Sequence, residues 1–307
     1  MKAILTLLAS ALLAAAALAQ TADLNGRLRV MALARDAQST IEILEQARPM
    51  ANTKTAEWLA GVSWAGRAAS FVGNWPAAHK YAQEAYDGAT ELIAAGASID
   101  NDPNLETAVG ASVEVLGQAA AAQGDRAAAV EFLHTERERF RGTRVETRIQ
   151  KNYLLVGLEG KPMPGLAADR FIGPALPIET QGKVAVFFFW AHWCSDCKAQ
   201  LPRLERLHAR YAQRGLAIIG PTRLYGYIAG GQDATPAQEI AYMEGVRQLQ
   251  DALPDWMPKP LSNDNFINFG VSTTPTLVIV DRQGIVRNYH PGQMSDEQLD
   301  AAILPLL

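Results

Sequence analysis

The chain has 307 residues, with 32 acids against 28 Lys and Arg and a formal charge of −4. That balance offers no basic surface, so neither nucleic acid nor an anionic membrane is expected as a partner. The length points to about two domains.

The first residues read MKAILTLLASALLAAAALAQ: Lys2 as a basic start, an apolar run from Ala3 to Leu18, then Ala17-Leu18-Ala19 as a small-x-small cleavage signal. Residues 1–19 are therefore expected to be a secretory signal peptide, with the mature chain beginning near Gln20. The run is short for a membrane span and no charged stop-transfer pattern follows, which disfavours an uncleaved membrane anchor. No cysteine lies near the cleavage point, which excludes a lipid anchor on cysteine. Cleavage removes one Lys and no acid, moving the charge from −4 to −5. The expected location is outside the cytoplasm, in the periplasm.

From Thr21 to Leu155 the chain is Ala-rich, with apolar residues at helical spacing and almost no β-branched runs. Residues 20–155 are expected to form an all-α helical-hairpin domain. Gly73-Asn74-Trp75-Pro76-Ala77-Ala78 and Gly124-Asp125-Arg126-Ala127-Ala128-Ala129 each place a Gly after one helix and small residues at the start of the next. These stretches resemble the turn inside a tetratricopeptide hairpin. They stand 51 residues apart, against about 34 in that family, so two or three degenerate hairpins are expected. Such a layer can bind a partner protein or cap a neighbouring domain. Trp58, Trp64 and Trp75 are read as helix packing.

The stretch from Val156 to Lys183 is rich in Gly and Pro and reads as a linker running into short edge strands. It opens a second domain, 156–307. Val184-Ala-Val-Phe-Phe-Phe-Trp-Ala191 has no polar face, as expected for a central strand covered on both sides. Leu201, Leu204, His208 and Tyr211 recur at helical spacing up to Gly215, and Leu216-Ala-Ile-Ile219 is a second strand. Together they make a parallel β-α-β unit. Thr235-Pro236 opens a helix expected to run to Leu253. Pro275 to Asp281 and Ile285 to His290 are strands around a turn at 281–284, and Ser295-Asp296-Glu297-Gln298 is a capping box opening the last helix.

The only two cysteines, Cys194 and Cys197, fall where the first strand passes into its helix. In the first turn of a helix, residues three apart share a face, so the sulfurs can approach bonding distance while unpaired N–H groups stabilise a thiolate. Cys194 is expected to be the exposed nucleophile and Cys197 the covered, resolving cysteine. Lys198 favours the thiolate and Asp196 opposes it. A zinc half-site lacks partners, because His79, His134, His192, His208 and His290 form no pair at ligand spacing. A structural staple closing so short a loop would remove little unfolded-chain entropy. His192 is read as a solvated strand-end residue. Trp190 is read as core, and the loop Tyr225-Gly226-Tyr227 as either a neighbour of the site or a plain connection.

Phe189-Trp190-Ala191, Trp193-Cys194-Ser195-Asp196-Cys197-Lys198, Pro202 and the later Thr274-Pro275 together resemble the thioredoxin superfamily, most closely its exported TlpA-like branch. The resemblance covers about half of the chain, from Lys161 onward. It implies an α/β thioredoxin fold in the C-terminal half and thiol-disulfide exchange as the activity. It also implies a cis bond before Pro275, with Thr274 and Pro275 beside Cys194 where they and Trp193 contact an extended substrate. The sequence departs from the family in two places. Phe188 stands where cytosolic thioredoxins carry a buried Asp, and Gln200 stands where some TlpA-like reductases carry a Glu. In the family these acids relay the proton of the buried cysteine, which leaves Glu179 or a water as the acceptor here.

The expected protein is an exported reductase of protein disulfides, with no cofactor and no metal, kept reduced by a membrane or periplasmic electron donor. Two alternatives stand beside it. One is a non-enzymatic interaction protein switched by its redox pair; the other is a copper-handling thioredoxin-fold protein with His290 as the distant ligand.

Overall fold

The structure is a computed structural model that describes residues 24–247 and 253–307. The expected signal peptide, and the stretch 248–252 of the helix expected to reach Leu253, lie outside the described residues. Two compact units divide between Val156 and Gly157. No helix among the described residues is long and apolar enough to cross a membrane.

The first unit is all helical: α1 (Leu24–Leu33), α2 (Ala37–Ala47), α3 (Ala56–Phe71), α4 (Trp75–Ala94), α5 (Pro103–Ala122), α6 (Arg126–Arg139) and α7 (Glu146–Gly157). Short polar residues start these helices. Asp36, Thr55, Asn74, Asp102 and Asp125 each accept a hydrogen bond from a backbone N–H in the first turn. The α3–α4 and α5–α6 links turn on Gly73 at φ +73° and Gly124 at φ +93°, a left-handed conformation that glycine adopts without strain. Small residues let the hairpins close. A Cβ on Gly66 would stand 3.1 Å from the backbone nitrogen of Ala82, and Ala65, Ala69, Ala78 and Ala82 are fully buried between helices. Glu114 on α5 is clamped by Arg67 of α3 at 3.3 Å and Arg148 of α7 at 2.7 Å. Burial alone would raise its carboxyl, but the Arg148 and Arg67 guanidinium groups hold it below the usual carboxylate value.

The second unit carries a four-stranded sheet in the order β2-β1-β3-β4, built from β1 (Val184–Phe189), β2 (Leu216–Ile219), β3 (Thr276–Val280) and β4 (Val286–Pro291). β1 pairs parallel with β2 and antiparallel with β3, and β3 pairs antiparallel with β4. The helices are α8 (Ser195–Tyr211), α9 (Pro236–Arg247), α10 (Asn263–Asn268) and α11 (Asp296–Ile303). Every residue of β1 is buried. Val184, Val186 and Phe188 pack with Leu201, Leu204 and Leu207 of α8. Phe187 and Phe189 meet Phe269 and Phe266 at ring distances of 5.2–5.3 Å.

Three expectations change here. α10 has no counterpart in the sequence reading; its six residues are too few for a readable period, yet with Phe269 they cover the second face of β1. The edge strands expected before Lys183 are absent. Pro162, Pro164, Pro174 and Pro177 cannot donate to a ladder, so the segment is held by single bridges at Pro162–Ile285 and Phe171–Pro260. Buried Asn265 assists, donating to the Ala167 carbonyl at 2.9 Å and accepting from its N–H at 2.8 Å. β1 also ends at Phe189, so Trp190 and Ala191 lie in the turn that follows. Trp190 is core all the same, with its indole N–H donated to the Gly220 carbonyl at 2.9 Å.

Candidate active site

The turn from β1 into α8 places Cys194 at the N-cap of the helix and Cys197 in its first turn. Their Cα atoms stand 5.2 Å apart and a disulfide joins them. The Cys197 N–H donates to Cys194 Sγ at 3.1 Å, so the sulfur occupies the position where an N-capping oxygen would normally sit. A thiolate there would be stabilised by the helix N-terminus.

Cys194 is not the exposed partner that the sequence suggested. It is 5 % exposed against 3 % for Cys197. The reason is local: its sulfur turns inward to cap α8 and bond to Cys197, so that Ser195 and Asp196 take the outer positions of the turn. Trp193 is the open side chain, 48 % exposed, with its ring edge-on to Tyr225 at 5.5 Å. The Thr274–Pro275 peptide bond is cis. The β1–β3 register pairs Phe189 with Thr276, which brings Thr274 and Pro275 to the end of the sheet from which the Cys194 turn departs. Pro275 is fixed there by its carbonyl, which accepts from the Gly292 N–H at 2.8 Å.

The two positions where relatives carry acids are filled by other chemistry. Phe188 is fully buried in the core with Cys197 and Leu201. Gln200, also fully buried, accepts the Met294 N–H at 2.9 Å and thereby ties α8 to the segment before α11. Glu179 is no substitute. Its side chain is 68 % exposed and ion-paired with Lys183 at 2.7 Å, before the start of β1 and so at the far end of that strand from the cysteines. His290 is engaged locally, with Nε2 3.0 Å from the Gln293 carbonyl. No group of three or more metal-ligating side chains is found among the described residues.

His192 is the largest departure from the sequence reading. It is buried, not solvated, and its Nε2 lies 3.1 Å from Glu239 Oε1. Glu239, in the first turn of α9, is itself fully buried and accepts the backbone N–H groups of Tyr225 and Gly226, each at 2.8 Å. Rings of Tyr225, Tyr227 and Tyr242 surround the imidazole at 5.3–6.0 Å. The loop 225–227 therefore belongs to the site. Burial pushes the Tyr225 hydroxyl up to about 12, which keeps it a neutral donor to the Trp190 carbonyl at 3.1 Å. Sequence gave no pointer to the pair: the partners are 47 residues apart, and an acid in a first helical turn ordinarily serves only the helix dipole.

The AhpC/TSA family matches residues 176–222. The thioredoxin-like protein YneN of Bacillus subtilis (strain 168) is 24 % identical over 144 residues, covering 46 % of this chain and 76 % of that protein. The thiol:disulfide interchange protein DsbE of Xylella fastidiosa (strain Temecula1) is 26 % identical over 153 residues, covering 49 % and 70 %. Among solved structures, a putative thiol:disulfide interchange protein DsbE from Chlorobium tepidum aligns with a TM-score of 0.36 at 19 % identity, over 48 % of this chain and 97 % of that one.

Proposed function

We propose that the chain, whose C-terminal unit is similar to thioredoxin-like thiol-disulfide oxidoreductases, is an exported reductase of protein disulfides. Cys194 is the nucleophile that forms the mixed disulfide and Cys197 resolves it. Trp193, Thr274 and Pro275 line the substrate strand. The observation that carries this reading is the placement of the sulfurs on the first turn of α8, with the Cys197 N–H donated to Cys194 Sγ. That arrangement favours a thiolate at Cys194 and puts the second sulfur within reach of it.

The same reading divides the chain into a signal peptide at 1–19, a helical-hairpin domain at 20–155 and a thioredoxin-like domain at 156–307. The substrate is a disulfide-containing protein in the periplasm. A membrane or periplasmic electron donor returns the pair to the dithiol, since an oxidising compartment would otherwise hold it as the disulfide. The helical domain binds a partner protein, a role supported by Val30 and Leu33 on α1, which leave apolar surface exposed.

Cys197→Ser in the exporting host is expected to accumulate a mixed disulfide on Cys194 that non-reducing electrophoresis separates and mass spectrometry identifies. Cys194→Ser is expected to abolish the turnover of insulin reduction. Undiminished turnover in Cys194→Ser would overturn the assignment of the nucleophile.

A further inference from the structure

Resolution of a mixed disulfide needs a base for the covered cysteine, and both acids that serve relatives are missing. Beside Cys197 lies a small cavity of about 30 Å³, lined by Ala191, His192, Cys197, Lys198 and Leu201 among others. A water needs about 10–15 Å³ of such space, so the cavity is large enough to hold one. His192 is the one imidazole among the described residues of that lining.

Its hydrogen bonding sets the tautomer. The Glu239 carboxylate receives two backbone N–H groups and faces His192 Nε2. Nε2 is accordingly assigned as the donor of the third bond, which leaves Nδ1 as the acceptor. Nδ1 is buried and has no hydrogen-bond partner among the described residues. A buried acceptor without a partner carries a desolvation cost, and such groups collect where chemistry uses them.

We propose that His192 is the general base and acid for Cys197, acting directly or through one water in this cavity, and that Glu239 is the positioning residue that orients it. The proposal rests on the exchange reading above. In the reducing direction the Cys194 thiolate attacks one sulfur of a substrate disulfide, and the other sulfur leaves as a thiolate that takes a proton from solvent. The Cys197 S–H then gives its proton to His192 Nδ1 and its sulfur attacks Cys194 Sγ. The bond between Cys194 and substrate breaks with its electron pair on the substrate sulfur, and the proton held by His192 passes to that sulfur. Two electrons have left the cysteine pair, which ends as the disulfide, and the substrate has become two thiols. In the reverse direction the imidazolium protonates the departing Cys197 sulfur. The buried carboxylate stabilises the imidazolium in both, as a third group does for the base in other nucleophile–base pairs.

The test uses the full, reduced chain and the aromatic disulfide 5,5′-dithiobis(2-nitrobenzoate) in stopped flow. The first equivalent of coloured thiolate reports attack by Cys194, and the second reports resolution by Cys197. His192→Gln is expected to lower the ratio of the second rate to the first by about 100-fold at pH 7. The second rate should also rise more steeply with hydroxide between pH 6 and 8 than it does in the unmodified chain. The groups facing the imidazole are Glu239 and Tyr242 of α9, Tyr225 and Tyr227 of the loop, and Lys198 and Cys197 of α8. Of these, Glu239 touches the ring nitrogen. Glu239→Gln should therefore move the midpoint of the second phase to lower pH, because the imidazolium loses its counter-charge. A merely structural role would slow both phases alike and leave the pH profile in place, and that result overturns the proposal. Should either variant fail to fold, the unmodified chain still decides: a solvent deuterium isotope effect of about 2 on the second phase is expected, and none overturns it. Absence of any thiolate release by the unmodified chain would instead strike the exchange reading itself.

Discussion

Gln200 shows how one side chain can hold a structure while giving up a chemical role. It lies one helical turn beyond Cys197, fully buried, and its carbonyl oxygen is committed to the Met294 N–H. Gln200→Glu keeps an oxygen for that bond and adds a carboxylate on the face of α8 that carries Cys197. In a His192→Gln background this change is expected to recover the second phase of the aromatic-disulfide reaction by about 10-fold. No recovery would mean that position 200 cannot reach the sulfur. The missing acids were visible in the sequence as Phe188 and Gln200, and their absence posed the question of the base. The answer was not visible. A His two residues before a nucleophile reads as a strand-end polar residue until Glu239, from a distant helix, is seen to close on it.

At the scale of elements, the helical unit depends on a buried carboxylate that joins α3, α5 and α7. The folded-state value of Glu114 lies below that of a free carboxylate, about 4.3. Its contribution to stability is therefore complete above that range and is lost as pH falls through the folded value. Glu114→Gln, which leaves Arg67 and Arg148 without their counter-charge, is expected to cost about 3 kcal/mol at pH 7. Urea unfolding followed by far-ultraviolet circular dichroism should show the difference from the unmodified chain shrinking at pH 3. An equal difference at both pH values would remove the ion pair as its cause. Helices of this unit were readable because their turns and caps are local: Asn74 and Asp125 cap the helix that immediately follows, and Gly73 and Gly124 end the one before. α10 was unreadable because it is short, and its role is set by the two phenylalanines of β1 that it and Phe269 cover.

On the scale of the whole molecule, the two units carry different tasks in one exported chain under the proposed function. Expressed in a Gram-negative host, the protein recovered from the periplasm is expected to begin at Gln20, as N-terminal sequencing or intact mass would show. Recovery of the full 307 residues from the cytoplasm alone would overturn export. The sequence by itself determined the features that rest on neighbours in the chain: the helical character of one half, the α/β character of the other, the cysteine pair at a strand-to-helix turn and the Thr-Pro before the last hairpin. Those follow from periodicity, capping and turn chemistry, which act over a few residues. Only the tertiary structure decided that Cys194 is covered in the disulfide form, that Glu179 points away to Lys183, and that His192 meets Glu239 and lines a cavity with Cys197. Burial and long-range hydrogen bonds depend on which elements pack together, and no local pattern in the chain encodes a pairing across 47 residues.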